Sequence, residues 1–476
     1  AANEVTLLHF NDVYEVQSRV REPVGGVARF IEKLRQYPDA VTLFSGDALA
    51  PSLLSTVTKG EHMVKFLNMM NIRAACMGNH DFDFGVEHLR DWCLPESNFP
   101  WLLSNAWHTD SGELLAGGRR SLVIEHRGRR LGVMGLIEEE WLATLATLER
   151  DEVIYRDYVE VAKEIVAELH QQGTPPPRVD CVIALTHMRK PNDRRLAEHV
   201  PELDLILGGH DHEVYSEVVN GVPIIKSGTD FRDLTRLSLQ VGAAGGGVRN
   251  RPRVSWEHEE VTSDIGECAE ASALVHVYSD ALAKSMEKVL GELGCSMDAR
   301  FEHIRTRETN CGNWVSDCVR DGVENSGIHV DVVLINSGTL RADDVFPPGP
   351  FLMRDLVTLL PMLDELAVIA LTGEQMVEAL ENGVSMFPKL EGRFPCVSGI
   401  KFEFSPSLPA GNRVIRDTVV VNGVAIELEK EYNLVTKAYL ASGRDGYEVF
   451  QKGRMVRDGE GSPLLADIIR AQFAAI

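Results

Sequence analysis

The stretch Gly78-Asn79-His80-Asp81-Phe82-Asp83 determines how the rest of the sequence is interpreted. It contains a neutral metal ligand in Asn79, a candidate general acid in His80, and a carboxylate in Asp83 that could orient this acid. The apolar run at residues 74–77 precedes it and is typical of a buried strand. The stretch therefore predicts metal-dependent acid–base chemistry at the end of a strand.

Four other apolar runs also end in polar side chains that can bind a metal ion. The loops that follow them are Asn11-Asp12 after residues 5–10, Gly46-Asp47 after 41–44, His187 after 181–186, and His210-Asp211-His212 after 203–207. A lone aspartate or histidine in such a loop is usually a turn, cap or structural residue. Because the carboxyl ends of neighbouring strands meet at one edge of a sheet, five such loops in order predict an α/β domain with a dinuclear metal centre.

Length and charge limit the possible partners. At 476 residues the chain exceeds one ordinary core and predicts two domains. A formal net charge of −23 argues against a nucleic-acid polymer as partner, because such binders need a basic face. No apolar run reaches the roughly 20 residues that span a bilayer, so no membrane partner is expected. The sequence leaves the oligomeric state open.

Compartment signals favour the cytoplasm. The start Ala1-Ala2-Asn3-Glu4 has no signal-peptide pattern, and the chain has no Asn-X-Ser/Thr sequon. Its eight cysteines show no CxxC spacing, and Cys76 and Cys181 lie inside apolar runs, where a reduced thiol is expected. These features predict a cytoplasmic protein, with a secreted or periplasmic one as the alternative if the chain start is processed.

Residues 1–260 alternate between strand-like and helix-like patterns. Three helices are predicted: one opened by Gly25-Gly26 with Val27, Phe30, Ile31 and Leu34 on its buried face, one from Glu61 with Met63, Phe66, Leu67 and Met70, and one over 157–171, stopped by Gly173 and the prolines at 175–177. Residues 242–247 predict a glycine-rich hairpin or loop without a phosphate-binding lysine.

A long amphipathic helix is predicted over residues 269–290, within a linker at 261–299. Its apolar stripe comprises Leu274, Val277, Tyr278, Ala281, Leu282, Met286 and Val289. A second α/β unit follows at 300–476, with a helix from Thr309-Asn310 through Asp321, a strand over 330–335 and a helix over 372–384.

The series of loops resembles the calcineurin-like metallophosphoesterases, and within them the 5′-nucleotidase family, over nearly the whole chain. The resemblance implies an N-terminal four-layer αββα metallophosphoesterase sandwich at 1–260, a linker helix in 261–299, and a smaller C-terminal α/β substrate-binding domain at 300–476. It also implies two divalent ions, with Mn, Zn, Mg and Co as candidates.

The same resemblance implies a role for each loop residue. Asp47 would bridge the two ions. The remaining ligands would be Asp12 and His212 for one ion, and Asn79, His187 and His210 for the other. His80, oriented by Asp83, would stabilise the transition state and protonate the leaving group. The alternative for Asp83 is a cap of the helix that starts near Val86.

Tyr14 departs from the family pattern, which has Asp-X-His where this chain has Asp12-Val13-Tyr14. A phenol with a pKa near 10 is a poor ligand for Zn²⁺, Mn²⁺ or Mg²⁺ but a good one for ferric iron. We expect Tyr14 to pack or hydrogen-bond beside the site, with an iron-bound phenolate as the alternative. If Tyr14 only packs beside the site, the first ion is expected to bind more weakly or to keep an extra water.

Residues after 300 resemble the substrate-binding motifs of the family. Arg305, in residues 305–310, and Asn336 and Arg341, in residues 336–341, are implied to contact substrate. Arg307 is expected to pair with Glu308 or another acid. The family's aromatic clamp for a nucleobase is implied at Tyr447, whereas Met362 replaces the other ring.

Together these features predict a phosphohydrolase that cleaves small phosphomonoesters, 5′-nucleotides first and cyclic nucleotides as a further candidate, by a metal-bound hydroxide. The replacement at Met362 keeps a sugar- or polyol-phosphate phosphatase as the alternative. A non-catalytic metal- or ligand-binding protein is a third interpretation, which the presence of both His80 and Asp83 disfavours. Metals on one domain and arginines on the other imply that the cleft between them closes during turnover.

Overall fold

The computed structural model describes residues 4–142, 148, 150–171, 179–241, 251–362, 364–459 and 462–474. The predicted helix stop at 173–177 and the glycine-rich segment 242–247 lie outside these residues. The chain divides into two compact units, residues 1–282 and 283–476. In the described part of the chain, no helix is long and apolar enough to cross a membrane.

The first unit contains two six-stranded sheets. In spatial order, the first sheet consists of Arg253–Glu260, Asp233–Gln240, Glu4–Phe10, Val41–Phe44, Ile72–Cys76 and Trp101–Leu102. The second consists of Val214–Val219, Val222–Ser227, Leu205–Gly208, Cys181–His187, Arg129–Ile137 and Ser121–His126. The central strands of each sheet run parallel, whereas antiparallel strands occupy both edges of the second sheet and one edge of the first. The short strands Ala106–His108 and Val153–Tyr155 pair separately.

Three apolar layers hold these sheets together. Val5, Leu43 and Ile183 belong to the layer between the two sheets. The outer faces are covered by helices, which in chain order are Val27–Arg35, Leu53–Thr58, Glu61–Leu67, Val86–His88, Leu94–Glu96, Glu139–Leu142, Tyr158–Gln171, Lys190–His199 and Ala269–Ser285. The central strands are buried on both faces, which explains their continuous apolar sequences. The predicted αββα sandwich is confirmed.

The helix that begins at Ala269 is shorter than predicted. It ends at Ser285 because Val289–Leu293 forms a strand that pairs with Gly349–Leu352. Ala271 and Tyr278 are buried in the core of the first unit, whereas Val277 is 61% exposed and Ala281 is exposed as well. Val289 is 52% exposed and lies in the strand, so the predicted apolar stripe was wrong at Val277, Ala281 and Val289.

The second unit is a mixed five-stranded sheet in the order Pro395–Ser398, Val332–Asn336, Glu431–Lys437, Leu366–Thr372 and Arg454–Arg457. Its helices are Phe301–Ile304, Asn310–Glu324, Met353–Leu359, Gly373–Val384, Ala438–Ala441 and Leu465–Ala474. Short strands pair Met297–Asp298 with Val345–Phe346, and Val420–Val421 with both Ile400–Lys401 and Val424–Ala425. Thr309 caps the helix Asn310–Glu324, as predicted, and Thr372, which was expected to be the first helical residue, caps the helix Gly373–Val384. The unit is an α/β domain, as expected.

Candidate metal centre and substrate pocket

The sheet order brings the five predicted loops of the first unit together. Glu4–Phe10, Val41–Phe44 and Ile72–Cys76 are parallel neighbours in one sheet, and Cys181–His187 and Leu205–Gly208 are parallel neighbours in the other. Loops that leave the same ends of such strands must meet at one edge.

All six predicted ligand residues lie in one continuous group of donor atoms. His187 Nε2 lies 3.2 Å from Asp47 Oδ2, 3.1 Å from Asn79 Oδ1 and 3.2 Å from His210 Nδ1. His212 Nε2 lies 3.2 Å from Asp12 Oδ1. Asp12, Asp47 and His187 each contribute one ligand atom, and these three atoms lie within 4.8 Å of one another. Two carboxylates, an amide oxygen and three imidazoles form a donor set that suits divalent cations.

The electrostatics of the group fit a cation site. Asp12 and Asp47 are both fully buried, and burial alone would raise the pKa of each carboxyl. For Asp12, the interactions with His212 and His187 outweigh the effect of burial and lower the pKa. For Asp47, the interactions with His187 and His80 outweigh it and lower the pKa as well. The two carboxylates therefore require positive charge beside them, which divalent ions would supply with neutral imidazoles as ligands.

Hydrogen bonds behind the donor atoms fix their orientation. His187 Nδ1 lies 2.8 Å from the carbonyl of Ser45 and can donate to it, which directs the lone pair of Nε2 at the group. The Asp81 carboxylate accepts backbone N–H groups from Gly78 at 2.8 Å and Ala48 at 2.9 Å, and so ties two ligand loops together. The sequence did not reveal this role of Asp81, although Asp81 lies within the stretch from Gly78 to Asp83.

Glu138 is a second site residue that the sequence did not reveal. It is completely buried, and its carboxylate accepts from the backbone N–H of Arg189 at 2.7 Å and from Asn192 Nδ2 at 2.6 Å, while Oε1 lies 3.4 Å from His210 Nε2. Burial alone would raise the pKa of Glu138, but His210 and Arg189 outweigh it and lower the pKa to about 2. Glu138 thus holds the ring of His210 from behind.

Tyr14 reaches into the donor group. Its hydroxyl lies 3.2 Å from Asp12 Oδ1, 3.1 Å from Asp47 Oδ2 and 2.8 Å from His212 Nε2. Burial and the charges of Asp47 and Asp12 raise the pKa of Tyr14 well above its usual value. A protonated phenol within hydrogen-bond distance of both carboxylates agrees with the expectation of hydrogen bonding beside the site.

His80 and Asp83 form a dyad at the same edge. His80 Nδ1 lies 2.9 Å from Asp83 Oδ2, and the backbone N–H of His80 donates to Asp47 Oδ1 at 2.9 Å. The alternative role for Asp83 as a helix cap is wrong, because Gly85 occupies the N-cap of Val86–His88 and no side chain caps that helix. Asp83 is therefore placed to orient the imidazole of His80.

The second unit contains a cavity of about 370 Å³. It is lined by Arg305, Asn336, Gly338, Arg341, Met362, Asp364, Glu391, Gly392, Arg393, Lys437, Tyr439 and Asp445. Four of the five residues predicted to contact substrate are among them.

Tyr447 is the exception, and its predicted position in the pocket is corrected. Its ring is 0% exposed and stacks on Phe450 with centroids 4.9 Å apart, while its hydroxyl donates to the carbonyl of Arg393 at 2.6 Å. The turn before it, with Asp445 at φ 53° and Gly446 at φ 79°, is followed by a ring packed in the core. Tyr447 therefore stabilises the unit and presents no surface for stacking.

Tyr439 is the aromatic residue that lines the cavity, and the sequence analysis missed it. It is 48% exposed and donates from its hydroxyl to Asp445 Oδ1 at 3.2 Å. Asp445 Oδ2 accepts from Asn336 Nδ2 at 2.7 Å, so one carboxylate connects two walls of the cavity. Tyr439 is the second residue of the short helix Ala438–Ala441, which follows the strand Glu431–Lys437 directly. This position just after a strand end was the signal that could have revealed it.

The cavity contains cations available to an anionic ligand. Arg305 packs its guanidinium 3.7 Å from the ring centroid of Phe301 and donates to the carbonyl of Leu390 at 3.0 Å. Burial and the nearby charge of Arg341 lower the pKa of Arg305. Lys437, in contrast, pairs with Asp364 at 2.6 Å.

Arg307 lies outside the cavity. It is exposed and makes no ion pair within the described residues, while Glu308 accepts from Asn313 Nδ2 at 2.6 Å instead. The predicted pairing of Arg307 with Glu308 was therefore wrong.

Comparison with known proteins agrees with this architecture. Residues 5–214 match the family model described as calcineurin-like phosphoesterase, and residues 285–452 match that of the 5′-nucleotidase C-terminal domain. A 5′-nucleotidase of Diplobatis ommata is 26% identical, over 96% of this chain and 85% of its own length. A trifunctional nucleotide phosphoesterase protein of Bacillus subtilis (strain 168) is also 26% identical, over 94% of this chain but only 32% of that protein.

Among solved structures, the NAD nucleotidase of Haemophilus influenzae has the same fold, with a TM-score of 0.77 at 20% identity over 99% of this chain and 96% of that one. Calcineurin-like phosphoesterases use divalent metals, in agreement with the donor group at the strand ends. The chain therefore belongs to the two-domain 5′-nucleotidase family of calcineurin-like phosphoesterases and is a metal-dependent phosphoric ester hydrolase.

Proposed function

We propose that this protein hydrolyses 5′-nucleoside monophosphates, with two divalent ions in the first unit and nucleoside recognition in the second. One observation carries the proposal: a donor group of six side chains, five of them buried and only His212 exposed, lies at the same edge as the His80–Asp83 dyad, whose ring and carboxylate are 2.9 Å apart. A protein that only binds metal has no need of an oriented acid.

Asp47 would be shared by the two ions, because its two oxygens face different neighbours. Oδ1 accepts a hydrogen bond from the backbone N–H of His80, and Oδ2 lies 3.2 Å from His187 Nε2. Asp12 and His212 would complete one ligand set. The other set would consist of Asn79, His187 and His210. When bound, divalent ions neutralise the phosphoryl oxygens and activate water for attack on phosphorus.

His80 would carry the proton to the leaving group. The carboxylate of Asp83 holds Nδ1, which leaves Nε2 as the nitrogen that exchanges a proton with the departing ester oxygen. The same carboxylate stabilises the imidazolium that donates this proton, and the ring is neutral once the proton has been transferred. A nucleoside 5′-oxygen is a poor leaving group without a proton, so this step matters for the proposed substrate.

The cavity of the second unit would recognise the nucleoside and part of its charge. Tyr439 and Met362 are 48% and 55% exposed and offer an aromatic and a thioether surface for a base. Asp445 accepts from Asn336 and Tyr439, and its carboxylate retains lone pairs for ribose hydroxyls. Arg305 and Arg341 would bind anionic oxygens. This combination favours a nucleotide over a sugar or polyol phosphate, which has no flat group to stack.

Replacing His80 with asparagine tests the acid role. We expect kcat for a 5′-nucleotide to fall by roughly 10²–10⁴ and to fall far less for p-nitrophenyl phosphate, whose leaving group departs without a proton. Metal content, measured by mass spectrometry, should match the parent. Equal losses on both substrates with metal retained would contradict the assignment.

Replacing Tyr439 with alanine tests the substrate class. The parent should prefer 5′-nucleotides to glycerol phosphate and glucose phosphates in a phosphate-release assay. Because base stacking contributes about 1–3 kcal/mol, Tyr439→Ala should lose roughly 5- to 150-fold in kcat/KM on nucleotides and little on glycerol phosphate. Tyr447→Phe, a change in the core beside the cavity, is the control and should leave the preference intact. A parent that prefers sugar or polyol phosphates would overturn the nucleotide assignment.

Replacing Tyr14 with histidine adds an imidazole beside Asp12 and His212. We expect Tyr14→His to reach half-maximal Mn²⁺ activation at a lower metal concentration than the parent, since it gains a ligand. Tyr14→Phe serves as the comparison, because it removes the hydroxyl without adding a ligand. The parent should be colourless, and a visible absorption band that disappears in Tyr14→Phe would instead show an iron-bound phenolate.

A further inference from the structure

Lys226 is a lysine buried at the end of the strand Val222–Ser227, with 1% of its side chain exposed. Its ammonium group lies 2.8 Å from Asp193 Oδ2 and 2.7 Å from Asp211 Oδ2. It also donates to the carbonyls of Met188 at 2.7 Å and Gly209 at 2.5 Å. Lysine is almost never fully buried unless it is paired, and four oxygen partners satisfy this ammonium completely.

Three of the four partners of Lys226 lie next to a candidate metal ligand in the chain. Met188 follows His187 in the chain, Gly209 precedes His210, and Asp211 separates His210 from His212. One ammonium group therefore binds both histidine loops of the second sheet. The fourth partner, Asp193, accepts from Thr186 Oγ1 at 2.6 Å through its other oxygen, and Thr186 precedes His187.

The loop at residues 209–212 needs such support, because its backbone is strained. His210 and His212 have φ values of 81° and 55°, in the left-handed region that residues with a side chain rarely adopt. Such conformations cost free energy and persist only where surrounding contacts enforce them. The ion pair from Lys226 to Asp211 and the bond to the carbonyl of Gly209 hold the backbone on both sides of His210.

We propose that Lys226 is a positioning residue that sets the geometry of both metal sites through the loops carrying His187, His210 and His212. The proposal rests on the metal centre of the proposed function. By fixing Asp211, Lys226 separates the two neighbouring histidines so that His210 faces His187 while His212 faces Asp12. Within the described residues, the polar contacts of the Lys226 ammonium are with Asp193, Asp211 and the carbonyls of Met188 and Gly209, none of which is a candidate ligand atom, so Lys226 acts through the loops.

The test measures metal binding and needs no turnover. Metal-free parent and Lys226→Met are titrated with Mn²⁺ by calorimetry, and electron paramagnetic resonance reports whether two ions couple to each other. Since residues behind metal ligands usually contribute 10- to 100-fold in affinity, Lys226→Met should bind Mn²⁺ at least about tenfold more weakly and lose the coupled signal.

Lys33→Met is the matched control. Lys33 is also largely buried, with 14% of its side chain exposed, and its ammonium lies 2.7 Å from Glu259 on an edge strand of the first sheet. Both variants lose a shielded ion pair of the same unit and should melt at lower temperature. Only Lys226→Met should lose metal affinity, which a merely structural role would not predict.

Lys226→Met would leave two carboxylates without their cation, so it could fail to fold. Asp211→Asn is the second variant, since it keeps the size of the side chain and leaves Lys226 its other three partners. It should weaken Mn²⁺ binding less than Lys226→Met but in the same direction. Parent-like affinity in whichever variant folds, or a parent that binds no Mn²⁺, would overturn the proposal. A parent that binds two ions yet hydrolyses no nucleotide would refute the proposed function and leave the role of Lys226 standing.

Discussion

Two carboxylates, Asp12 and Asp47, are buried side by side in the first unit, and their need for positive charge organises the structure around them. Ionised carboxylates in a low-dielectric interior are tolerated only when cations or hydrogen-bond donors surround them. His187 and His212 provide part of this environment, and the hydroxyl of Tyr14, with one proton to donate, lies within hydrogen-bond distance of both acids. A pair of divalent ions would complete it, and phosphate chemistry at this edge of the sheets follows from the charge those ions bring.

A second level of contacts keeps the site in shape. Asp81 joins the loops of the first sheet, Glu138 supports His210, and Lys226 joins the loops of the second sheet. All three are charged and buried, although none belongs to the candidate ligand set. Their number shows why a dinuclear site needs a large domain: the ligands come from five separate strand ends, and each loop requires its own support.

Much of the fold was predictable because burial leaves a direct mark on the sequence. Strands such as Cys181–His187 and Val41–Phe44 are covered on both faces, so they appear as unbroken apolar runs with polar residues where they end. The ligand loops could be recognised for the same reason. The helix 269–285 was harder, because its exposed Val277 and partly buried Val275 have the same chemistry and differ only in the neighbours that tertiary packing provides.

The parts of the site that could not be predicted depend on side-chain direction. Tyr439 and Tyr447 lie on either side of the turn at Asp445, and only the packing of that turn sends one ring to the cavity and the other to the core. Glu138 begins a run of three acids that looks like a solvated surface, yet it is the one that is fully buried. Lys226 was equally hidden, because a lysine at a strand end is ordinarily exposed.

Anomalous diffraction from crystals grown with Mn²⁺ tests the central claim most directly. Two anomalous peaks should appear about 3.5–4 Å apart at the edge where the five strands end, with the carboxylate of Asp47 between them. One peak should contact Asp12 and His212, and the other Asn79, His187 and His210. A single peak elsewhere, or none at this edge under saturating Mn²⁺, would contradict the account.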